Sequence, residues 1–479
     1  MFKLKTFTIF FAILLLFSTF APTLSGFAAF SVPFELASEG VYMVNLDTDI
    51  VVMSKNPDKK LYPASTVKIM TCLVALENIK DFSAKVDCPY ECFNEFYGDN
   101  PNYYGASTAG IEPLQENVTY NDCLYGLMLA SGCEAANILA YNIGGGDISK
   151  FIKMMNDTAD KIGCTGTHFA NTHGLFNENN YTTAKDLYLI TKYALDKYPG
   201  FLKICNTYEY EMPKNETYPD GVTVTHTNAM MRESSDYYYD GIKGIKTGSI
   251  NSYNLKKNGE WGEDIPGFCS LVTCAERGGY SYLVVTLQAP YTNSTGETGV
   301  THFEDHAKLY DWAFDEFEYA QIIGANEQVM QVDVSKGLEA DKVGIVTTED
   351  FYTLMPRTLD KTSIQQIKPV IEPFVAPVEK GVSVGELELR LNGETLAKIP
   401  LVTENEVVLD IVEDYKEKLM NILKSPQFIT IVIVLIALII TYAVARTLHR
   451  NKKRKLAEME RRRKIQMAPR DKRGNNRRR

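Results

Sequence analysis

Ser65 and Lys68 stand three residues apart in the stretch Pro63 to Met70, PASTVKIM. If Ser65 opens a helix, that spacing is almost one turn, and hydroxyl and amine project from the same side. A serine hydroxyl is a poor nucleophile at neutral pH. A neighbouring lysine whose pKa is lowered by burial and nearby positive charge can take its proton. Taken alone, the pair reads more simply as a surface helix with a serine cap, so its meaning depends on matching pieces downstream. Two such pieces exist. Ser131, in Ser131-Gly132-Cys133, interrupts two apolar helical stretches, Tyr120 to Ala130 and Glu134 to Ile143. A serine on such a loop is well placed to face a cleft. Lys246-Thr247-Gly248-Ser249 ends an alternating, strand-like run from Gly241. Gly248 there permits close approach of another backbone, as when an extended peptide lies along a sheet edge.

The surrounding pattern supplies elements to hold these groups. Val41 to Leu46 and Ile50 to Met53 are short β-like runs joined by Asp47-Thr48-Asp49, a turn-favouring link, which predicts a hairpin before the serine. From Ser65 to Glu77 apolar residues recur at helical spacing, so the nucleophile sits where a core helix begins. Helix N-termini direct N–H groups outward, which suits a developing oxyanion. Asp87 to Tyr104 has no clear period and reads as an irregular insert. Thr167 to Leu175 is a polar loop, and Thr183 leads a helix. Phe268 to Ala275 and Tyr282 to Leu287 supply further strands, and a helix from Asp305 to Phe317 should close the domain. Asn137 is expected to pack within its helix.

No metal chemistry is expected. His302 and His306 have the i,i+4 spacing of a metal pair, but Phe303 stands where a zincin motif needs Glu, and the two are read as helix-surface residues. The nine cysteines are scattered, without paired C-x-x-C spacing, and their odd number leaves at least one unpaired within the chain.

A chain of 479 residues that is 45% hydrophobic and 23% charged is long enough for two or three folded units. Lys3 and Lys5, an apolar run from Phe7 to Phe20 and small residues up to Ala29 read as a secretory signal over 1–29. Near the other end, Phe428 to Ala445 is uncharged and just long enough to span a bilayer as a helix. After it, Arg446 to Arg479 holds 16 of the 50 Lys/Arg against three acidic residues, leaving 34 basic and 57 acidic residues elsewhere. A basic flank stays on the cytoplasmic side, which puts the acidic bulk outside. The tail is read as a topology signal with affinity for anionic lipid rather than for nucleic acid.

Ser65-x-x-Lys68, Ser131 between helices and Lys246-Thr247-Gly248, in that order and at those separations, resemble the penicilloyl serine transferases. More narrowly, Pro63 to Thr71, Thr167 to Leu175 and the strand after Gly248 look like the D-alanyl-D-alanine carboxypeptidases among the low-molecular-mass penicillin-binding proteins. The resemblance runs from about Ser31 to Glu318 and on into a β-rich module. It implies an α/β (α+β) fold with an antiparallel sheet and a helical subdomain. It also implies that Ser65 attacks the carbonyl between the two terminal D-alanines of a peptidoglycan stem pentapeptide, forming an acyl-enzyme that water hydrolyses. Lys68 would be the general base and Ser131 a proton relay. Lys246 would supply positive charge, Thr247 would help hold the terminal carboxylate, and the N–H groups of Ser65 and Ser249 would form the oxyanion hole. β-Lactams would acylate Ser65, and neither metal nor organic cofactor is required. The departure is Cys133, where the motif has Asn. An amide both donates and accepts and a thiol does each weakly, so activity is expected to be reduced or retuned.

The domain expectation is a signal over 1–29, a serine D,D-carboxypeptidase domain over 30–318 and a small all-β sandwich over 319–405. An amphipathic linker helix over 406–427, a transmembrane helix over 428–446 and a basic cytoplasmic tail over 447–479 complete it. Within the β module, Met330 to Val334, Val343 to Thr347, Ile367 to Phe374, Glu386 to Leu391 and Thr395 to Leu401 read as strands, with Asn392-Gly393 a hairpin turn. The alternatives to an active, membrane-anchored carboxypeptidase are a catalytically weakened wall-binding or scaffold protein and a β-lactamase. The last ranks lower because no convincing Glu-centred deacylation loop lies between Ser131 and Lys246.

Overall fold

A computed structural model describes residues 30–96, 106–257, 260–391 and 393–467, without the side chains of 252–264 and 394. The signal segment, part of the irregular insert and the last twelve residues of the tail lie outside the described residues. The chain forms two compact units, the first reaching Gly324 and including 350–367 and 388–398, the second comprising 325–349, 368–387 and 399 onward.

In the first unit the expected hairpin forms from β1 (Gly40–Asn45) and β2 (Ile50–Lys55). Asn45 Oδ1 fixes its turn by accepting from Thr48 N and Oγ1. A 3-10 turn, Ala64–Val67, leads into α1 (Lys68–Asn78), and α2 (Tyr120–Met128), α3 (Cys133–Ile143), α4 (Ile148–Ile162), α5 (Ala184–Lys197) and α6 (Pro199–Cys205) follow. Thr119 and Asp122 form a capping box that starts α2. Two short strands, β3 (Glu209–Met212) and β4 (Val222–Thr225), pair with each other. β5 (Ile242–Lys257), β6 (Glu260–Arg277) and β7 (Tyr280–Pro290) then join the hairpin in an antiparallel sheet of order β2-β1-β7-β6-β5. α7 (Thr301–Glu316) and β8 (Phe317–Ile323) end this stretch.

Side-chain alternation decides how the layers stack. On β1 and β7, Tyr42, Val44, Leu283, Val285 and Leu287 enter one core with α1 to α6. Val41, Met43, Tyr282 and Val284 enter a second core with Leu309, Tyr310 and Trp312 of α7. The sheet is therefore covered on both faces. α1 is buried from Lys68 to Leu76, the signature of a helix enclosed by neighbours on all sides.

One expectation fails here. His302 and His306 are buried, because they share the sheet-facing stripe of α7 with Leu309 and Ala313 at spacings of four, three and four. His306 bridges two strands, its Nδ1 2.8 Å from Thr273 Oγ1 and its Nε2 2.9 Å from Thr286 Oγ1. No group of three potential metal ligands occurs among the described residues. All nine cysteines are buried free thiols.

Beyond β8 the chain is β-rich, with β9 (Gln328–Ser335), β10 (Lys342–Thr347), β11 (Phe351–Pro356), β12 (Gln365–Ile367), β13 (Phe374–Val375), β14 (Ser383–Leu391) and β15 (Glu394–Thr403). In the first unit β11 pairs antiparallel with β8, and β12 with the distal end of β14. In the second, β9 pairs antiparallel with β10, β10 with the distal end of β15, and β13 runs parallel to β9. The strand expected from Ile367 to Phe374 is interrupted between its ends. Pro369 and Pro373 lack the N–H that a ladder requires.

α8 (Ile411–Lys424) is capped by Asp410, whose carboxylate accepts from Val412 N and Glu413 N. Lys336 ties it down through Asp414 at 2.8 Å and Glu417 at 2.7 Å. α9 (Pro426–Gln466) follows, a 41-residue helix long and apolar enough to cross a membrane.

Candidate active site

Ser65 lies in the 3-10 turn that feeds α1, and the residue before it, Ala64, has φ of +51°. That left-handed conformation is disfavoured for a side chain bearing a Cβ. Lys68, the first residue of α1, places Nζ 3.1 Å from Ser65 Oγ, 2.6 Å from the His173 carbonyl oxygen and 3.6 Å from Cys133 Sγ. Burial drives the Lys68 pKa down from the ordinary lysine value, with Cys133 and then Glu134 opposing it. The amine is thus displaced toward its neutral form, the form that accepts a proton from serine.

Two segments close on this turn. A Cβ added at Gly248 of β5 would lie 3.0 Å from Ser65 N and from Pro63 O, tighter than ordinary contact, so glycine lets the strand pass close to the Ser65 backbone. Gly174, at φ +84°, seats the 171–175 loop against the same turn, where an added Cβ would overlap the Ala64 carbonyl oxygen at 1.9 Å. Thr71 Oγ1 donates to Thr172 O at 2.6 Å, and Asn171 Oδ1 accepts from Gly174 N at 2.8 Å, bracing the loop.

Lys246 is buried on β5, its Nζ donating to Thr247 O at 3.0 Å. Burial and then the charge of Lys68 push its pKa well below the ordinary value. Thr247 Oγ1 is 2.5 Å from Thr227 Oγ1, and Ser249 follows on the same strand, exposed. On the helical side Ser131 is buried with φ of +60°. Among the described residues no hydrogen bond joins its hydroxyl to Ser65 or Lys68. The next residues anchor the turn, Gly132 N donating to Gly126 O and Cys133 N to Ser107 O. The Cys133 thiol is buried, and burial raises its pKa despite the charge of Lys68.

Ser65, Lys68, Cys133 and Gly248 therefore converge from segments far apart in sequence. Three contributors carried no motif: Thr227 beside Thr247, the His173 carbonyl on Lys68, and Glu95 behind His173. Thr167 to Leu175 was visible as a polar loop, but nothing in its spacing marked a backbone carbonyl as a lysine partner. Asn137 does more than pack within its helix. Its Nδ2 donates to Glu95 Oε1 at 2.6 Å and Cys92 O at 3.2 Å, and its Oδ1 accepts from Thr172 Oγ1 at 2.6 Å.

The D-alanyl-D-alanine carboxypeptidase family matches residues 28–255, and the C-terminal domain of penicillin-binding protein 5 matches residues 317–409. The D-alanyl-D-alanine carboxypeptidase DacF of Bacillus subtilis is 28% identical over 375 residues, 78% of this chain and 87% of that protein. The D-alanyl-D-alanine carboxypeptidase of Streptomyces sp. strain K15 is 31% identical over 223 residues, 45% of this chain and 72% of its own length. Among solved structures, DacD of Francisella tularensis superposes with a TM-score of 0.55 at 22% identity, covering 82% of this chain and all of that one. Penicillin-binding protein 5 of Haemophilus influenzae gives 0.54 at 20%, covering 79% and all. The two structures establish the fold, and the sequence matches establish the lineage: the chain belongs to the D-alanyl-D-alanine carboxypeptidase family of low-molecular-mass penicillin-binding proteins.

Proposed function

We propose that the protein removes the terminal D-alanine from peptidoglycan stem pentapeptides through an acyl-enzyme on Ser65. The observation that carries this reading is the buried Lys68 amine 3.1 Å from Ser65 Oγ. Lys68 takes the hydroxyl proton as Oγ attacks the penultimate D-alanine carbonyl. Negative charge develops on the carbonyl oxygen, toward which the N–H groups of Ser65 and Ser249 are assigned. Collapse expels D-alanine, whose amine takes the proton held by Lys68, with Ser131 as relay. Water, deprotonated by the same amine, then hydrolyses the ester and frees Ser65.

Thr247, with Thr227 beside it, is assigned to the substrate's terminal carboxylate. Both buried lysines are pushed toward neutrality in the free protein, and an arriving carboxylate supplies the counter-charge that favours the ammonium form of Lys246. Gly248 gives the extended peptide its approach along β5, and Cys133 lines the position where an amide would have aligned it. A β-lactam, whose strained amide occupies the scissile bond's place, acylates Ser65 in the same way.

The remaining organisation belongs to the same proposal. A signal over 1–29 exports the domain over 30–318, the β module over 319–405 stands it off the membrane, and a linker over 406–427 leads to a span over 428–446. The tail over 447–479 faces the cytoplasm. The test is a fluorescent penicillin followed by peptide mapping. Stoichiometric label on Ser65, together with D-alanine release from a pentapeptide, is the expected result. An intact protein that takes no label overturns the reading. A weakened, wall-binding role is the second reading, favoured by one observation, the 3.6 Å separation of the Cys133 thiol from Lys68. It predicts label without measurable D-alanine release.

A further inference from the structure

The amine assigned as the base has three neighbours within reach, and they are unequal. Ser65 Oγ gives up its proton during the reaction, and Cys133 Sγ is a weak acceptor at 3.6 Å. Among the described residues, the one strong, unchanging acceptor is the His173 carbonyl oxygen at 2.6 Å. Where that carbonyl stands decides where the base stands.

The ring of His173 fixes the carbonyl from behind. Its Nδ1 accepts from Leu175 N at 3.2 Å, which assigns the ring proton to Nε2. Nε2 then donates to Glu95 Oε1 at 3.1 Å. The same oxygen accepts from Asn137 Nδ2 at 2.6 Å, while Thr172, the residue before His173, donates its hydroxyl to Asn137 Oδ1 at 2.6 Å. Phe96 closes the far side, edge-on to the imidazole with centroids 5.3 Å apart. One carboxylate oxygen thus joins three segments: the insert that carries Glu95, helix α3 through Asn137, and the loop whose backbone holds Lys68. Burial acts to raise the Glu95 pKa, but the hydrogen bonds it accepts from His173 and Asn137 outweigh it and keep the carboxylate ionised. Burial, reinforced by the charge of Lys68 against the pull of Glu95, keeps the imidazole neutral.

We propose that Glu95 is a positioning residue of the acylation step, holding Lys68 in register with Ser65 through the ring and carbonyl of His173. It touches no reacting atom. The carboxylate–imidazole pair presents a backbone carbonyl, rather than the ring, to the base. Its importance is greatest where the third neighbour of Lys68 is a thiol. The inference rests on the reading of Lys68 as the base for Ser65.

The experiment uses the full chain and stopped-flow acylation by a fluorescent penicillin, each rate normalised to the label bound at saturation. Glu95→Ala lowers the limiting acylation rate about tenfold while the half-saturating concentration stays within about twofold, because the lactam's own contacts are untouched. Glu95→Gln, which keeps an acceptor for His173 Nε2–H, restores most of the rate. Adding Cys133→Asn to Glu95→Ala also recovers rate, and by a larger factor than Cys133→Asn gives alone, since the amide supplies Lys68 with a second acceptor. The Glu95 side chain is 38% exposed, so truncation leaves no sealed cavity. Glu95→Ser is measured alongside as a second truncation. Truncated variants acylating at the wild-type limiting rate overturn the proposal, as does a Gln variant as slow as Ala. A wild-type chain that takes no label refutes instead the assignment of Ser65.

Discussion

The site places two buried amines and a buried thiol within one small volume, and the thiol is its most informative atom. Cys133 Sγ lies 3.6 Å from Lys68 Nζ and 3.9 Å from Ser131 O, distances at which a sulfur hydrogen bond is weak. An amide in its place would give the lysine an oxygen acceptor and the substrate a donor. Cys133→Asn is therefore expected to raise the acylation rate and D-alanine release by roughly two- to tenfold, the equivalent of one neutral hydrogen bond of about 0.5–1.5 kcal/mol. Steady-state release from a pentapeptide measures this, and a fall in rate would show the pocket fitted to sulfur. The next residue makes a separate prediction. Glu134 is buried, its Oε1 accepts from Ala109 N and Ile111 N, and its Oε2 has no partner among the described residues. Burial pushes its carboxyl from 4.5 up to about 7, against those backbone N–H bonds. A raised folded-state pKa contributes stability that is complete below pH 4.5 and is lost as pH climbs through about 7. Glu134→Gln cannot ionise and escapes that loss. Between pH 5 and pH 8 the variant should gain about 2 kcal/mol relative to the wild type in urea unfolding. Parallel pH profiles for the two proteins would show that Glu134 does not titrate in this range.

At the scale of elements, function depends on how tightly three backbones meet, and that is where the chain's sequence was only partly readable. The hairpin, the helix after Ser65 and the strand through Lys246 follow from hydrophobic period, and each is present as β1 and β2, α1 and β5. The trio Ser65-Lys68, Ser131 and Lys246-Thr247-Gly248 was legible because its order is distinctive. Glu95 was not, since its partner His173 lies 78 residues away and a single long-range hydrogen bond leaves no period in a sequence. The burial of His302 and His306 was readable in principle. Their spacing continues the apolar stripe of α7, and the same i,i+4 spacing also fits a metal pair. The seam between the 171–175 loop and the Ser65 turn carries the prediction at this scale. Gly174 has φ of +84°, and a Cβ there would sit 1.9 Å from Ala64 O. Gly174→Ala must either adopt a strained φ or push the turn away, and is expected to destabilise the protein by about 1–3 kcal/mol. Because the displaced residue is next to Ser65, penicillin labelling should slow in the fraction that remains folded. Wild-type labelling at reduced thermal stability would place the strain in the loop rather than in the turn.

Over the whole molecule, charge and apolarity are sorted by position along the chain. Of 50 Lys/Arg residues, 16 fall after Ala445, and most of the 60 acidic residues lie before it. α9 unites the two regimes: its first half is apolar and the helix continues without a break into the basic run ending near Lys464. At 1.5 Å per residue its 41 residues extend about 60 Å, twice the roughly 30 Å of a bilayer's hydrocarbon, so its apolar half is long enough for a span and several turns of charged helix follow it. α8 is different in kind. It is a 14-residue amphipathic helix with Val412, Tyr415, Leu419 and Ile422 exposed, suited to lying on a membrane surface rather than crossing it. If α9 is the anchor and α8 an accessory contact, cutting the chain after Ser425 changes the class of attachment without touching Ser65 or Lys68. Alkaline carbonate should then release the truncated protein from membranes, with its penicillin acylation rate unchanged, while the full chain stays behind and needs detergent. Truncated protein that resists carbonate would move the anchor to the residues before Pro426, and full-length protein released by carbonate would remove α9 from the bilayer.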